Sequence, residues 1–334
     1  MKTSFANDRA LLETAGITFP QEARQYLDDA AQPGILTQVN AGIPAFLANY
    51  IDPKFIEILV TPMKAVEITG EIGMGTWTTK TAQFPVMEYM GEVTSYGDYN
   101  TNGSNSINVN WMPRQQYIYQ SICNWGDHEL EMNALAKIDF ANGVKNAKAL
   151  NFAKFQNKSY FFGISGLMNY GLLNDASLPA AITPTTKTAG GTTWPVATAN
   201  EVYQDIENLF YQLQVQLQGL VQLDSSMILA MSPTSEVALT KTTQYNVNVM
   251  DMLKKNFPNM RVITAPEYAT SAGQLLQLIV PNLDGVKSLD SAFGDKMRAF
   301  PVFRDLSSFR QKFAAGTWGC IIKRPIAIAQ MLGV

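Results

Sequence analysis

The chain's one histidine, His128, stands between Asp127 and Glu129, residue types that could carry general acid–base chemistry if a carboxylate oriented the imidazole. Consecutive helix residues do not face each other, so neither acid can hold the ring as a catalytic triad requires. His128 therefore reads as a surface residue at a helix start. The segment Gly163-Ile164-Ser165-Gly166-Leu167 approaches the G-x-S-x-G nucleophile elbow, but Leu167 occupies the position of the closing glycine. Gly70, Gly73 and Gly75 lack the G-x-G-x-x-G spacing, and strand-like sequence follows them where a dinucleotide site needs a helix. There is no P-loop. Asp28, Asp29 and the scattered acidic residues show no metal-ligand spacing, and Cys123 and Cys320 lie too far apart in sequence for a paired Cys motif. We expect no catalytic residues, no cofactor and no metal, with both cysteines serving as buried small hydrophobes.

The elements that would have to position any site point elsewhere. Thr78, Lys80, Ala82, Phe84 and Val86 interleave with Trp77, Thr79, Thr81, Gln83 and Pro85, and Ile107, Val109, Trp111, Tyr117 and Tyr119 alternate on the return to Ile122. Period-two alternation predicts two strands. Between them, Met90 to Ser106 carries three glycines with many Asn and Ser, a turn-forming composition that cannot supply a core. A loop spanning about 71–120 is long for a compact domain, and an isolated strand pair is only marginally stable. The hairpin should find its packing on another subunit.

From Asp127 to Asn157 there is no proline and one glycine, and apolar residues such as Leu130, Leu135, Ile138, Val144, Phe152 and Phe155 follow helical spacing. The 31 residues would span about 46 Å at roughly 1.5 Å each. Asp127, Glu129 and Glu131 near the start and Lys145, Lys148, Lys154 and Lys158 toward the end follow the order the helix dipole favours.

A Thr/Ala/Gly-rich stretch, Ile182 to Thr193, reads as a loop. Thr198 and Glu201 form a capping box before a helix with Val202, Ile206, Leu209 and Leu213 on one face. A strand (Met227 to Met231), a helix opened by Pro233, a helix from Met250 to Phe257 and strands Arg261 to Thr264 and Gln274 to Val280 follow. This alternation predicts an α/β unit with a central sheet, and Gly316 to Gln330 reads as strand returning to the first unit.

Composition agrees with an assembling protein. The chain is 46% apolar, enough for a sizeable core, but only 16% charged, against about 25% in typical soluble domains. Subunit interfaces are depleted in Lys and Glu and enriched in Tyr and Met. A net charge of −3 does not provide the positive field of a dedicated nucleic-acid reader. The densest basic stretch, Lys296, Arg298, Arg304, Arg310 and Lys312, is interrupted by Asp295 and Asp305 and reads as inter-subunit or intradomain ion pairing. The first residues lack the apolar core of a secretory signal, and no window reaches the length of a membrane span, so no membrane is expected.

Taken in order, these parts resemble the major capsid protein of tailed bacteriophages, the Hong Kong 97-type fold. The resemblance is carried by Trp77 to Ala82 entering the loop, Tyr96-Gly97-Asp98-Tyr99 within it, and Asp127 to Asn157 as spine. Phe162-Gly163 through Gly166-Leu167-Met168-Asn169 continues it, as does Gly316-Thr317-Trp318-Gly319 before Arg324-Pro325. It implies an α+β fold with an N-terminal arm (1–55), a peripheral domain (56–164) holding the loop and spine, an axial domain (165–300) and a return to the peripheral domain (301–334). It further implies self-assembly through pentamers and hexamers into an icosahedral shell around double-stranded DNA, built in the host cytoplasm, with only non-specific contact to packaged DNA. Portal, scaffolding or decoration proteins are further candidate partners. The loop would bury Phe84, Val86, Tyr96, Tyr99 and Trp111 on neighbours. No basic residue lies between Lys80 and Arg114, so the lysine–asparagine crosslink of some members is not expected. Residues 1–50 show no charged coiled-coil pattern, so neither is a cleavable N-terminal scaffold. An encapsulin-like nanocompartment shell and, more remotely, an oligomeric α/β enzyme stay open as alternatives.

Overall fold

Alternation and helical spacing place the first elements of the computed structural model in chain order: α1 (Ala65–Thr69), β1 (Glu71–Gly73), β2 (Thr81–Gly91), β3 (Asn105–Gln115), β4 (Tyr117–Gly126), α2 (Asp127–Leu135) and α3 (Phe140–Phe162). Next come α4 (Ala199–Gln216), β5 (Met227–Met231), α5 (Pro233–Glu236), α6 (Val249–Asn256), β6 (Met260–Thr264), β7 (Ala269–Thr270), β8 (Gly273–Ile279), β9 (Asn282–Leu283) and β10 (Val286–Lys287). The chain closes with β11 (Leu289–Phe293), β12 (Arg298–Arg304), β13 (Ser308–Ile322) and β14 (Ile328–Leu332). The structure describes residues 62–135, 140–283 and 285–334, which fall in a unit running from Glu57 to Val334. The N-terminal arm expected over 1–55 lies outside the described residues.

β5, Met227-Ile228-Leu229-Ala230-Met231, has no polar member, which suits only a strand covered on both faces. All five residues are buried. β5 pairs in parallel with β6 and antiparallel with β8, and β14 lies on the far side of β8. Alternate residues serve two cores. Met227, Leu229 and Met231 pack under α4 with Ile206, Leu209 and Leu213, while Ile228 and Ala230 face a cluster containing Tyr160, Phe161 and Tyr268. The predicted capping box is present: the Thr198 side chain accepts from the Glu201 N–H while the Glu201 carboxylate accepts from Thr198.

The second sheet runs β1-β11-β13-β12, with β4 pairing along β13. From Tyr117 to Gly126 the strand is in register with Thr317 to Ser308. Its inner residues Tyr119, Cys123 and Trp125 meet Phe152 of α3 and Phe313, so the apolar stripe of the helix covers this sheet. The loss of water from such a stripe supplies most of the helix's stability.

The span read as a helix over Asp127 to Asn157 is helical in its described parts, α2 and α3, and runs on to Phe162; residues 136–139 lie outside the described residues. Other expectations differ from the structure. The return limb of the hairpin ends at Gln115, and Tyr117 to Ile122 belong to β4, which pairs with β13. Both segments alternate with period two, and local alternation carries no information about which strand is the partner. The return expected for 301–334 divides: β13 lies in the sheet beside β4, whereas β14 pairs with β8 in the α/β sheet. β11 and β12, within the span assigned to the axial domain, already sit in the β4 sheet. β13 ends at Ile322, Pro325 opens a short turn, and after it Ile328-Ala329-Gln330-Met331 is buried throughout.

Candidate assembly surfaces

β2 and β3 pair residue for residue from Thr81–Gln115 to Gly91–Asn105, and among the described strands neither pairs with any other. The tip is therefore 92–104, shorter than expected because the ladder reaches further. Along β3 the first seven residues are all exposed. Tyr96 is 92% exposed, Tyr99 fully so and Trp111 55%. The hairpin thus presents several large apolar groups to solvent, more than scattered surface residues would. Val86 is half-buried. Phe84 differs from the rest: it packs partly against Trp318, Ala292 and Ile321 of its own chain, because it lies close to the hairpin base where the body's core reaches the strand.

The base is held by polar groups. Arg114 forms a 2.9 Å ion pair with Asp175, their side chains 6% and 4% exposed, and its guanidinium lies 4.7 Å from the centre of the Tyr170 ring. Asn169 Nδ2 donates to the carbonyl of Gln115 at 3.1 Å and to that of Thr317 at 3.0 Å, joining hairpin and β13. Gly163 makes this possible. It leaves α3 at φ +62°, and a Cβ there would meet the Asn169 carbonyl at 2.3 Å. At Gly319, with φ +74°, an added Cβ would come as close to the Tyr170 carbonyl. Sequence reasoning saw Asn169 and the glycines as part of a pattern but not the anchor they build, and it missed the Arg114–Asp175 pair. A lone Arg ending a stretch without basic residues was the available signal.

The catalytic candidates do not converge. His128 is exposed at the start of α2 and Ser165 is exposed after α3. Among the described residues no three His, Cys, Asp or Glu side chains form a metal-binding group. Cys320 is buried, which pushes its thiol up to about 12, and Cys123 is buried as well. A cleft of about 440 Å³ beside α3 is lined by Met63, Val66, Phe152, Met297 and the polar Glu71 and Tyr160. Its carboxylate is already engaged, since Tyr160 Oη donates to Glu71 at 3.0 Å and Lys296 pairs with the other oxygen. Burial first, and then the Glu71 charge, raise the Tyr160 hydroxyl well above the usual tyrosine range.

Residues 34–333 match the family of the Pa193 gp26 major capsid protein. The chain belongs to this family of major capsid proteins. No curated protein sequence matches it. Among solved structures, the chain is similar to the capsid of Myoviridae phage XM1, with a TM-score of 0.73 at 14% identity over 91% of this chain and all of that one. It is also similar to the capsid of the native GTA particle (TM-score 0.63, 12% identity, 90% of this chain and 100% of that one). A third similarity is to Gordonia phage Cozz (TM-score 0.55, 9% identity, 91% and 98%). These likenesses show the fold, which is the Hong Kong 97-like α+β fold. As a family member the capsid protein is a structural component of a tailed-phage virion shell, formed by self-assembly, and the nanocompartment alternative is not favoured.

Proposed function

We propose that each capsid subunit laps its hairpin over a neighbour, and that the summed contacts close pentamers and hexamers into an icosahedral shell around double-stranded DNA. The observation that carries this reading is a hairpin paired only with itself among the described strands, yet fixed to the body by buried polar groups. Tyr96, Tyr99 and Trp111 are the contact residues, Val86 assists near the base, and Phe84 contributes the part of its ring its own core leaves open. Burying a large side chain contributes roughly 1.5–3 kcal/mol. Each subunit both donates and receives a loop, so individually weak contacts are combined by symmetry.

In this reading 1–55 is the arm, the sheet holding β4 and β13 with α3 is the peripheral domain, and the sheet holding β5 and β8 is the axial domain. The protein acts without catalysis, assembles in the host cytoplasm, and meets portal, scaffolding or decoration proteins at its outer and inner faces. Removing Glu92 to Ser104 tests the role of the loop. Electron microscopy of the deleted protein should show soluble subunits or capsomers and no shells. Normal shells would refute the assignment.

A further inference from the structure

The hairpin and β12 carry opposite charge. From Thr81 to Pro113 there are three acidic residues, Glu88, Glu92 and Asp98, and no basic one, a net charge of −3. From Lys296 to Lys312 five basic residues stand against Asp305 alone, a net charge of +4. Three of the five have a carboxylate in their own chain: Lys296 meets Glu71, Arg310 meets Asp305, and Arg304 lies 3.7 Å from Asp127. Arg298 and Lys312 have none among the described residues. Both are exposed and both approach the Phe300 ring at 5.9 Å, with Arg298 also 5.5 Å from Trp77. The two rings stand edge to face at 6.3 Å. Two cations without a counter-ion among the described residues, Arg298 on β12 and Lys312 on β13, are thus held on one aromatic platform, and among the described strands β12 is an edge that pairs with β13 only.

We propose that this platform receives the acidic hairpin tip of a second copy of the chain, with Glu92 and Asp98 pairing with Arg298 and Lys312. The inference rests on the proposed lapping of the hairpin and names where it lands. The subunit's own tip cannot serve. Trp77 lies at the base of the same hairpin, and eleven register pairs at about 3.3 Å each hold the tip roughly 35 Å away. Glu92 and Asp98 are exposed, and Tyr96 and Tyr99 beside them offer faces to the two cations. Complementary charge of this kind selects register and partner and disfavours a tip-to-tip or platform-to-platform encounter.

Charge exchange in the full-length protein tests the pairing. R298E/K312E and, separately, E92K/D98K should each raise the protein concentration needed for half-maximal assembly at least about tenfold. The four-fold exchange should restore shells to near the wild-type concentration. Circular dichroism of each variant confirms that the subunit is folded, and higher salt should weaken wild-type assembly in the same direction. Failure of the exchange to rescue, while wild type assembles, overturns this inference alone. Failure of wild type to form any shell overturns the proposed function. If R298E/K312E assembles normally but its shells retain less nuclease-protected DNA, the platform contacts phosphate and the pairing is wrong.

Discussion

Asp175→Ala removes the acceptor of Arg114 and leaves a guanidinium buried at the hairpin base. Both side chains are almost fully covered, so solvent and salt screen the pair little. Arg114 Nε already lacks a partner among the described residues, so Asp175 and the Tyr170 ring are what hold the guanidinium. Breaking such a pair by deleting one member costs about 3–5 kcal/mol, whereas replacing both members with apolar residues of similar volume is often neutral. At about 2 °C per kcal/mol for a large chain, the thermal midpoint of D175A should fall by roughly 6–10 °C. The double variant R114M/D175L should recover most of that loss. Differential scanning calorimetry reads the midpoint, and hydrogen exchange reads the site: amides near Gln115 should exchange faster in D175A, with those of β5 unchanged. A midpoint within about 1 °C of wild type, or a double variant no better than the single, would refute the assignment of Arg114–Asp175 as the anchor.

Two further outcomes follow from single residues. Glu201 accepts from the backbone N–H of Thr198, then from that of Thr188 and from both hydroxyls, and these hold its carboxyl down to about 2 against an ordinary 4.5. A depressed folded-state value means that its contribution is complete above about 4.5 and disappears as pH falls toward 2. The midpoint of E201Q should therefore depend less on pH across that window, and a curve parallel to wild type would dismiss the cap. Gly319→Ala places a Cβ 2.3 Å from the Tyr170 carbonyl at φ +74°, whereas Gly190→Ala at φ +88° meets no heavy atom within 4 Å. Backbone strain alone costs on the order of 1–3 kcal/mol, so both variants should lose stability and G319A clearly more. Equal midpoints would show that the close approach is unimportant.

What was legible in the sequence depended on whether the governing interactions were local. The β5 run, the capping box at Thr198 and the stripe of α4 each express their environment within a few residues, and each forms where the spacing placed it. The end of β3 does not. Gln115 and Tyr117 belong to strands with different partners, and the change is fixed by Asn169 and Thr317, more than fifty and two hundred residues away. The course of the last thirty residues was hidden for the same reason, because β13 and β14 both read as apolar strand while pairing in different sheets. The candidate contact residues divided similarly: Tyr96 and Tyr99 lie in a segment with no core nearby, whereas Phe84 shares its alternation with Val86 but meets a core built from residues near 292 and 318.

The anchor and the tip rely on different physics, and that difference bears on the proposed assembly. Apolar burial is gradual and tolerant of geometry, so a hairpin held only by a hydrophobic base could tilt through many directions at little cost. A buried ion pair together with an amide bridging two carbonyls has a narrow optimum, and leaving either unsatisfied costs more than forming it gains. The polar base therefore fixes a direction for the hairpin in the isolated subunit, before any neighbour arrives. The tip has no buried ion pair among the described residues, only exposed local hydrogen bonds such as Thr94 Oγ1 to the Asn102 carbonyl, and its tyrosines are exposed. In the proposed assembly such a subunit would lose less orientational entropy on docking than one with a freely tilting hairpin, while its tip could still adapt to pentameric and hexameric surroundings. Loosening the base should thus damage the regularity of shells before it abolishes contact between subunits, giving irregular particles in D175A where the tip deletion gives none.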